Sequence, residues 1–223
     1  MESVLPTAIR DVLAAVGPAS TSVQREMEAH AEETGFPIVG PEVGGLLRLL
    51  ARAVGAERVF EFGSGFGYSA TWFAQAVPDD GQVVLTELDA DELERARAYI
   101  AEAELADVAV FEHGDAFDVF EAYEGPFDVV LLDSEKHRYP DAIEPIREKL
   151  APGGMLVADN ALAARYDPEE VAAAVGDGAP GDVADDVAGV VEYLERMRDD
   201  PDFETALLPL GEGISVSYYS GAE

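Results

Sequence analysis

The chain has 223 residues, 48% of them apolar, enough to bury one sizeable core. Its 46 acidic residues outnumber 14 basic ones, a net charge of −32 spread along the whole length, which excludes an acidic disordered tail and makes a nucleic-acid backbone a poor partner. The absence of cysteine excludes a disulfide framework, a thiolate metal site and a thiol nucleophile.

The first 55 residues read as helices, an N-terminal extension to one compact unit over 56–223. Ser20 or Thr21 is placed to cap SVQREMEAHAEETG, and Pro41 to open EVGGLLRLLARAVG as a first-turn residue. The start, MESVLPTAIRDVL, lacks a basic segment followed by an apolar one, and no apolar run approaches the ~20 residues of a membrane span. A cytoplasmic protein without a membrane segment is expected.

From residue 57 the pattern changes to short β-rich runs: RVFEF (58–62), QVVLTEL (82–88), VAVFEH (108–113), FDVVLLD (127–133) and GMLVAD (154–159). Between them SATWFAQAV, ADELERARAYIAEAEL and PDAIEPIREKL have helical length and spacing. Near-continuous apolar strands alternating with helices predict an α/β fold with a parallel sheet covered on both faces. Residues 161–182, containing GDGAPGD, read as one long loop. DVAGVVEYLERMRDD is a helix, and FETALLPL and ISVSYYS are strands joined by the tight turn GEG, which adds an antiparallel edge.

After the first strand comes EFGSGFGYSA, with Gly63, Gly65 and Gly67 and with Glu61 two residues before the first glycine. A dinucleotide fingerprint would need its third glycine at Tyr68. The glycines still allow close backbone approach, and the carboxylate suits a ligand carrying an ammonium group better than a pyrophosphate. An acid followed by GxGxG resembles motif I of the S-adenosylmethionine (SAM) methyltransferases, in which Ser69 would hold the ligand's carboxylate. Glu87 ends the second strand about 20 residues further on, where an acid accepts from ribose hydroxyls. Capping the next helix falls to Asp89, with Glu92 completing a capping box. Asp115, beside Gly114, stands where an acid takes an adenine amino group or caps a helix, and His113 reads as structural.

Asp133 and the pair Asp159–Asn160 follow consecutive strands, so their oxygens emerge at one sheet edge. Strands lie about 4.8 Å apart, and carboxylates that close raise one another's pKa unless a cation separates them. Two Asp oxygens and an Asn carbonyl suit a hard ion such as Mg²⁺. The plain alternative is two strand-end caps in solvent. Lys136 is one of only two lysines, the other being Lys149, and for it the plain reading is a surface ion pair with Glu135 or Asp141.

LDSEKHRY, ADN, EFGSGFGYSA and the terminal LLPLGEGISVS together resemble the cation-dependent O-methyltransferases, the catechol and caffeoyl-CoA group, from about Pro41 to about Ser217. The resemblance implies a Rossmann-like class I SAM methyltransferase with a seven-stranded, mostly parallel sheet, a C-terminal antiparallel hairpin and N-terminal helices. It implies Asp133, Asp159 and Asn160 as ligands of Mg²⁺ (or Mn²⁺ or Ca²⁺), and Lys136 as the catalytic lysine. The SAM site would comprise Glu61, Gly63, Gly65, Gly67, Tyr68, Ser69, Glu87, Leu88, Gly114, Asp115, Ala116 and Asp133. The expected reaction methylates one hydroxyl of a vicinal diol on a small, catechol-like molecule, and a homodimer through the N-terminal helices is implied.

Several positions depart from the family. Ser134 and Glu135 replace flanking aromatic residues, Val43 replaces a glutamine, ALAARYDPEE follows ADN, and no acid sits in FETALLPL where the catechol enzymes place a partner for the substrate hydroxyl. Two rivals remain. An RNA hydroxyl methyltransferase of the same fold predicts a basic groove, for which Arg138 and Arg165 are meagre material. A non-catalytic SAM-binding protein predicts binding indifferent to Mg²⁺. The scarcity of lysine and the abundance of Asp, Glu, Ala, Val and Gly resemble the composition of halophilic archaeal proteins, in which molar salt screens self-repulsion over about 3 Å.

Overall fold

The computed structural model describes residues 5–162, 168–177 and 184–221. Helix α1 (Thr7–Val16) buries none of its residues. Helix α2 (Ser22–Thr34) begins at Thr21, whose hydroxyl accepts from the Gln24 N–H while the Gln24 side chain accepts from the Thr21 N–H. Of the two candidate caps Thr21 is used, and Ser20 donates instead to Glu28 at 2.6 Å. Helix α3 (Gly40–Val54) has its proline in the first turn and buries Val43, Leu47 and Ala51.

The strands are β1 (Arg58–Phe62), β2 (Gln82–Glu87), β3 (Ala109–His113), β4 (Phe127–Leu132), β5 (Leu150–Ala158), β6 (Phe203–Leu208) and β7 (Ile214–Tyr219). They form one seven-stranded sheet in the order β3-β2-β1-β4-β5-β7-β6, the Rossmann-like arrangement the sequence implies. The first five run parallel, and β7 enters antiparallel between β5 and β6, which leaves β6 at the edge. Strand β5 starts at Leu150, earlier than expected, and both Asp133 and Asp159 stand one residue beyond their strands.

Helices α4 (Tyr68–Ala74) and α5 (Ala90–Glu102) join α3 on one face of the sheet, packed on Val59, Leu85, Leu131 and Val157. Helices α6 (Ala116–Ala122), α7 (Tyr139–Lys149) and α9 (Asp185–Asp199) cover the other, over Phe60, Phe62, Val130 and Leu132. The two-residue strand period produces this division and places Glu61 on the α3 face beside Val59. Asp89 caps α5, accepting from the N–H groups of Asp91 and Glu92. The expected capping box does not close: Glu92 turns one oxygen toward Arg95 and buries the other unpartnered.

The long loop expected over 161–182 contains a helix, α8 (Pro168–Asp177). Its Val171 and Ala174, three residues apart, share one helical face and pack on Val187 and Val191 of α9. Residues 163–167 and 178–183 of that segment lie outside the described residues. Among the described residues, no helix is long and apolar enough to cross a membrane.

Candidate active site

The turn from β1 into α4 needs its glycines. Gly63, Gly65 and Gly67 all have positive φ (86°, 49° and 84°), and a Cβ on Gly63 would collide with the carbonyl oxygen of Asp133. Thr86 on β2 anchors this turn: its carbonyl accepts from the Ser64 N–H at 2.9 Å, and its hydroxyl donates to the Glu61 carbonyl at 2.6 Å. Glu87 accepts from the Gly65 N–H with one oxygen and from the Asp89 N–H with the other, each at 2.9 Å. Each carboxylate oxygen keeps further acceptor capacity.

Glu61 is fully buried, and neither of its carboxylate oxygens has a hydrogen-bond partner of good geometry. Burial pushes its pKa up to about 8; the nearby Ser69 hydroxyl opposes the rise and Asp133 adds to it. Such a group is costly to bury unless a ligand's donor completes it.

A cleft of about 900 Å³ runs along the carboxyl ends of β1, β2, β3, β4 and β5. Of the predicted site residues, Gly63, Gly65, Tyr68, Ser69, Glu87, Leu88, Gly114, Asp115, Ala116, Asp133, Lys136, Asp159 and Asn160 line it. Glu61 and Gly67 stand behind the lining; a Cβ on Gly67 would press against Ala96 of α5. The Tyr68 hydroxyl donates to Glu28 of α2 at 2.7 Å, tying the cleft wall to the N-terminal helices. Asp115 caps α6 by accepting from the Phe117 N–H, and it is also gripped by both terminal nitrogens of Arg138 at 2.6 and 3.2 Å. That guanidinium holds the Asp115 carboxyl below its ordinary pKa and stacks over the Phe117 ring at 3.9 Å. Of the two arginines the RNA reading would need, Arg138 is paired with Asp115, and Arg165 lies outside the described residues. His113, read as structural, has its Nε2 3.0 Å from the Leu88 carbonyl.

The last group stands where β4 and β5 end. Lys136 Nζ donates to Asp133 Oδ1 at 2.9 Å, and no ion pair between it and Glu135 or Asp141 is seen among the described residues. Asp159 is only 5% exposed, which rules out a strand-end cap in solvent. Burial first, then the Asp133 charge, raises its pKa well above the carboxylate range, with Lys136 opposing. Asn160 adopts φ 56° and donates its amide nitrogen to Glu212 at 2.5 Å, so the atom it has for a cation is Oδ1. Among the described residues no group of three or more His, Cys, Asp or Glu is spaced to hold a metal; this group has two Asp and an amide. As oxygen donors they fit a hard divalent cation.

An O-methyltransferase family model matches residues 21–218. The chain belongs to the O-methyltransferase family. A putative O-methyltransferase of Mycobacterium bovis is 30% identical over 82% of this chain and 79% of its own length. The catechol O-methyltransferase of Niastella koreensis is 32% identical over 58% of this chain, and the aligned stretch spans 62% of that enzyme. Rice tricin synthase 2 is 29% identical over 90% of this chain and 70% of its own. Among solved structures, the O-methyltransferase TomG of Streptomyces achromogenes, in complex with SAM, superposes with TM-score 0.83 at 26% identity, covering 96% of each chain.

For this O-methyltransferase, reading the sequence missed Thr86, the Arg138–Asp115 pair as such, and Glu212. Glu212 belongs to the GEG turn between β6 and β7, and its pKa is raised by burial. That turn brings an acid to the cleft, where it accepts from Asn160. The signal available was an acid between two glycines in a hairpin whose second strand abuts β5.

Proposed function

We propose that this O-methyltransferase moves the methyl group of SAM to one hydroxyl of a vicinal, catechol-like diol with the aid of a divalent cation. The observation that carries the reading is that one cleft joins the glycine turn to Lys136 and to Asp133, Asp159 and Asn160. The unpartnered carboxylate of Glu61 is matched by the SAM ammonium, Ser69 by its carboxylate, and Glu87 by ribose hydroxyls. Asp133, Asp159 and Asn160 would hold the cation. Bound there, a divalent cation would polarise the acceptor hydroxyls and relieve Lys136 of its counter-charge.

Lys136 then takes the hydroxyl proton as the oxygen attacks. The methyl–sulfur bond breaks, a carbon–oxygen bond forms, and S-adenosylhomocysteine leaves with the sulfur's electron pair. The walls of the cleft hold donor and acceptor in line, which is where most of the acceleration would arise. We extend the proposal to working conditions of molar salt, which the charge of −32 supports.

The test is transfer of labelled methyl from SAM to a panel of catechols in molar KCl, with and without EDTA. Transfer that EDTA abolishes and Mg²⁺ restores is expected. Transfer that ignores EDTA removes the cation, and no transfer to any vicinal diol removes the acceptor class.

A further inference from the structure

The last ladder bond between β4 and β5 runs from the Asp159 N–H to the Leu132 carbonyl at 3.1 Å. The hydroxyl of Tyr139, at the start of α7, donates to that same carbonyl at 2.9 Å and lies 3.1 Å from the carbonyl of Asp159. One phenolic proton is thus shared between two strands, one residue before Asp133 and at Asp159 itself. The ring is fully buried, and Lys136 Nζ sits 5.1 Å from its centroid. From α9, the ring of Tyr193 meets it edge to face at 5.7 Å.

We propose that Tyr139 is a positioning residue of the active site, a clasp whose hydroxyl sets the spacing of the Asp133 and Asp159 strand ends while its ring seats Lys136. The residue touches neither acceptor nor donor and acts through those three side chains. Its effect on a cation rests on the proposed function, because an octahedral ion tolerates little drift in its ligands. Partners that orient ligands in this way are worth about 10–100-fold in metal affinity. The clasp itself does not rest on that reading.

The decisive variant is Tyr139→Phe, which keeps the ring and its contact with Lys136 and removes only the hydroxyl. Tyr193→Phe serves as control: it removes a neighbouring buried hydroxyl that faces Ser215 and Ser217 instead of the strand ends. Two quantities are read: Mn²⁺ affinity by electron paramagnetic resonance with the metal alone, and amide hydrogen exchange in the metal-free protein. Tyr139→Phe is expected to weaken Mn²⁺ binding about 10-fold or more and to speed exchange at Asp159 while Val130 and Leu156, in mid-strand, keep their protection. Tyr193→Phe should do neither. A Tyr139→Phe protein that loses stability yet matches the parent in Mn²⁺ affinity and in Asp159 exchange overturns the proposal. Should the parent bind no Mn²⁺, the cation reading fails, and exchange at Asp159 alone decides the clasp.

Discussion

Buried without a partner, Glu61 keeps its proton in the folded protein up to about pH 8, whereas an ordinary glutamate ionises near 4.5. The folded state therefore binds the extra proton between those values. The stability this contributes is complete below about pH 4.5 and is lost as pH rises through about 8. Replacing Glu61 with Gln should flatten the decline of the urea midpoint across that window. It should also weaken SAM binding, and it should abolish the proton release that the proposed ammonium–carboxyl contact entails at neutral pH, read as buffer-dependent heat in calorimetry.

Lys136 carries a second prediction at this scale. Lys136→Met should lower transfer by about 10²–10⁴-fold while leaving SAM affinity unchanged, and Lys136→Arg should not restore the rate, because a guanidinium does not give up its proton. The other lysine offers the contrast. Lys149 donates to the carbonyls of Phe120 and Glu121 at 2.7 and 3.0 Å, closing the end of α6. Its work is structural, and Lys149→Arg should leave kcat unaltered.

Among the elements, α9 sets the position of the turn that bears Lys136. Gly189 lies against that turn, and a Cβ there would strike the Lys136 carbonyl oxygen and the His137 Cα. Both obstacles are backbone, so they yield only if the turn moves. Gly189→Ala should cost about 1–3 kcal/mol of stability and reduce kcat, while SAM affinity, which the proposed function assigns to residues across the cleft, stays near the parent's. Denaturant titration and single-turnover transfer separate the two effects. The hairpin of β6 and β7 acts from the other side: its turn accepts the N–H groups of Ala161 and Leu162 and places Glu212 on Asn160. Under the cation reading proposed above, Glu212→Gln should weaken Mn²⁺ affinity with little effect on SAM.

At the scale of the whole molecule, self-repulsion dominates. A net charge of −32 on a chain of 223 residues already counts all 14 basic residues, so acids in excess of any cationic side chain remain along the whole length. Raising KCl from about 0.1 M to about 2 M shortens the screening length from about 10 Å to below 3 Å. The melting temperature should rise on the order of 10 °C, since each kcal/mol is worth about 2–4 °C at this size. A melting temperature indifferent to KCl would remove the salt adaptation and leave the chemistry untouched.

Much of this architecture was readable from the chain because its causes are local. Apolar runs of strand length followed by one polar residue put Glu87, Asp133 and Asp159 at the carboxyl edge, and a strand-to-helix turn with three glycines marked the cleft. Capping chemistry narrowed the start of α2 to Ser20 or Thr21 and located Asp89 for the same reason. Helix α8 escaped because its two buried contacts become visible only once α9 lies beside it. What the tertiary structure alone decided are the long-range meetings: Glu212 with Asn160, Arg138 with Asp115, Glu28 with Tyr68, and the Tyr139 hydroxyl between two strand ends. Hydrophobic period and turn preference act over a few residues. Which edge abuts which, and which side chain bridges them, follows from crossovers and packing that no short window of sequence contains.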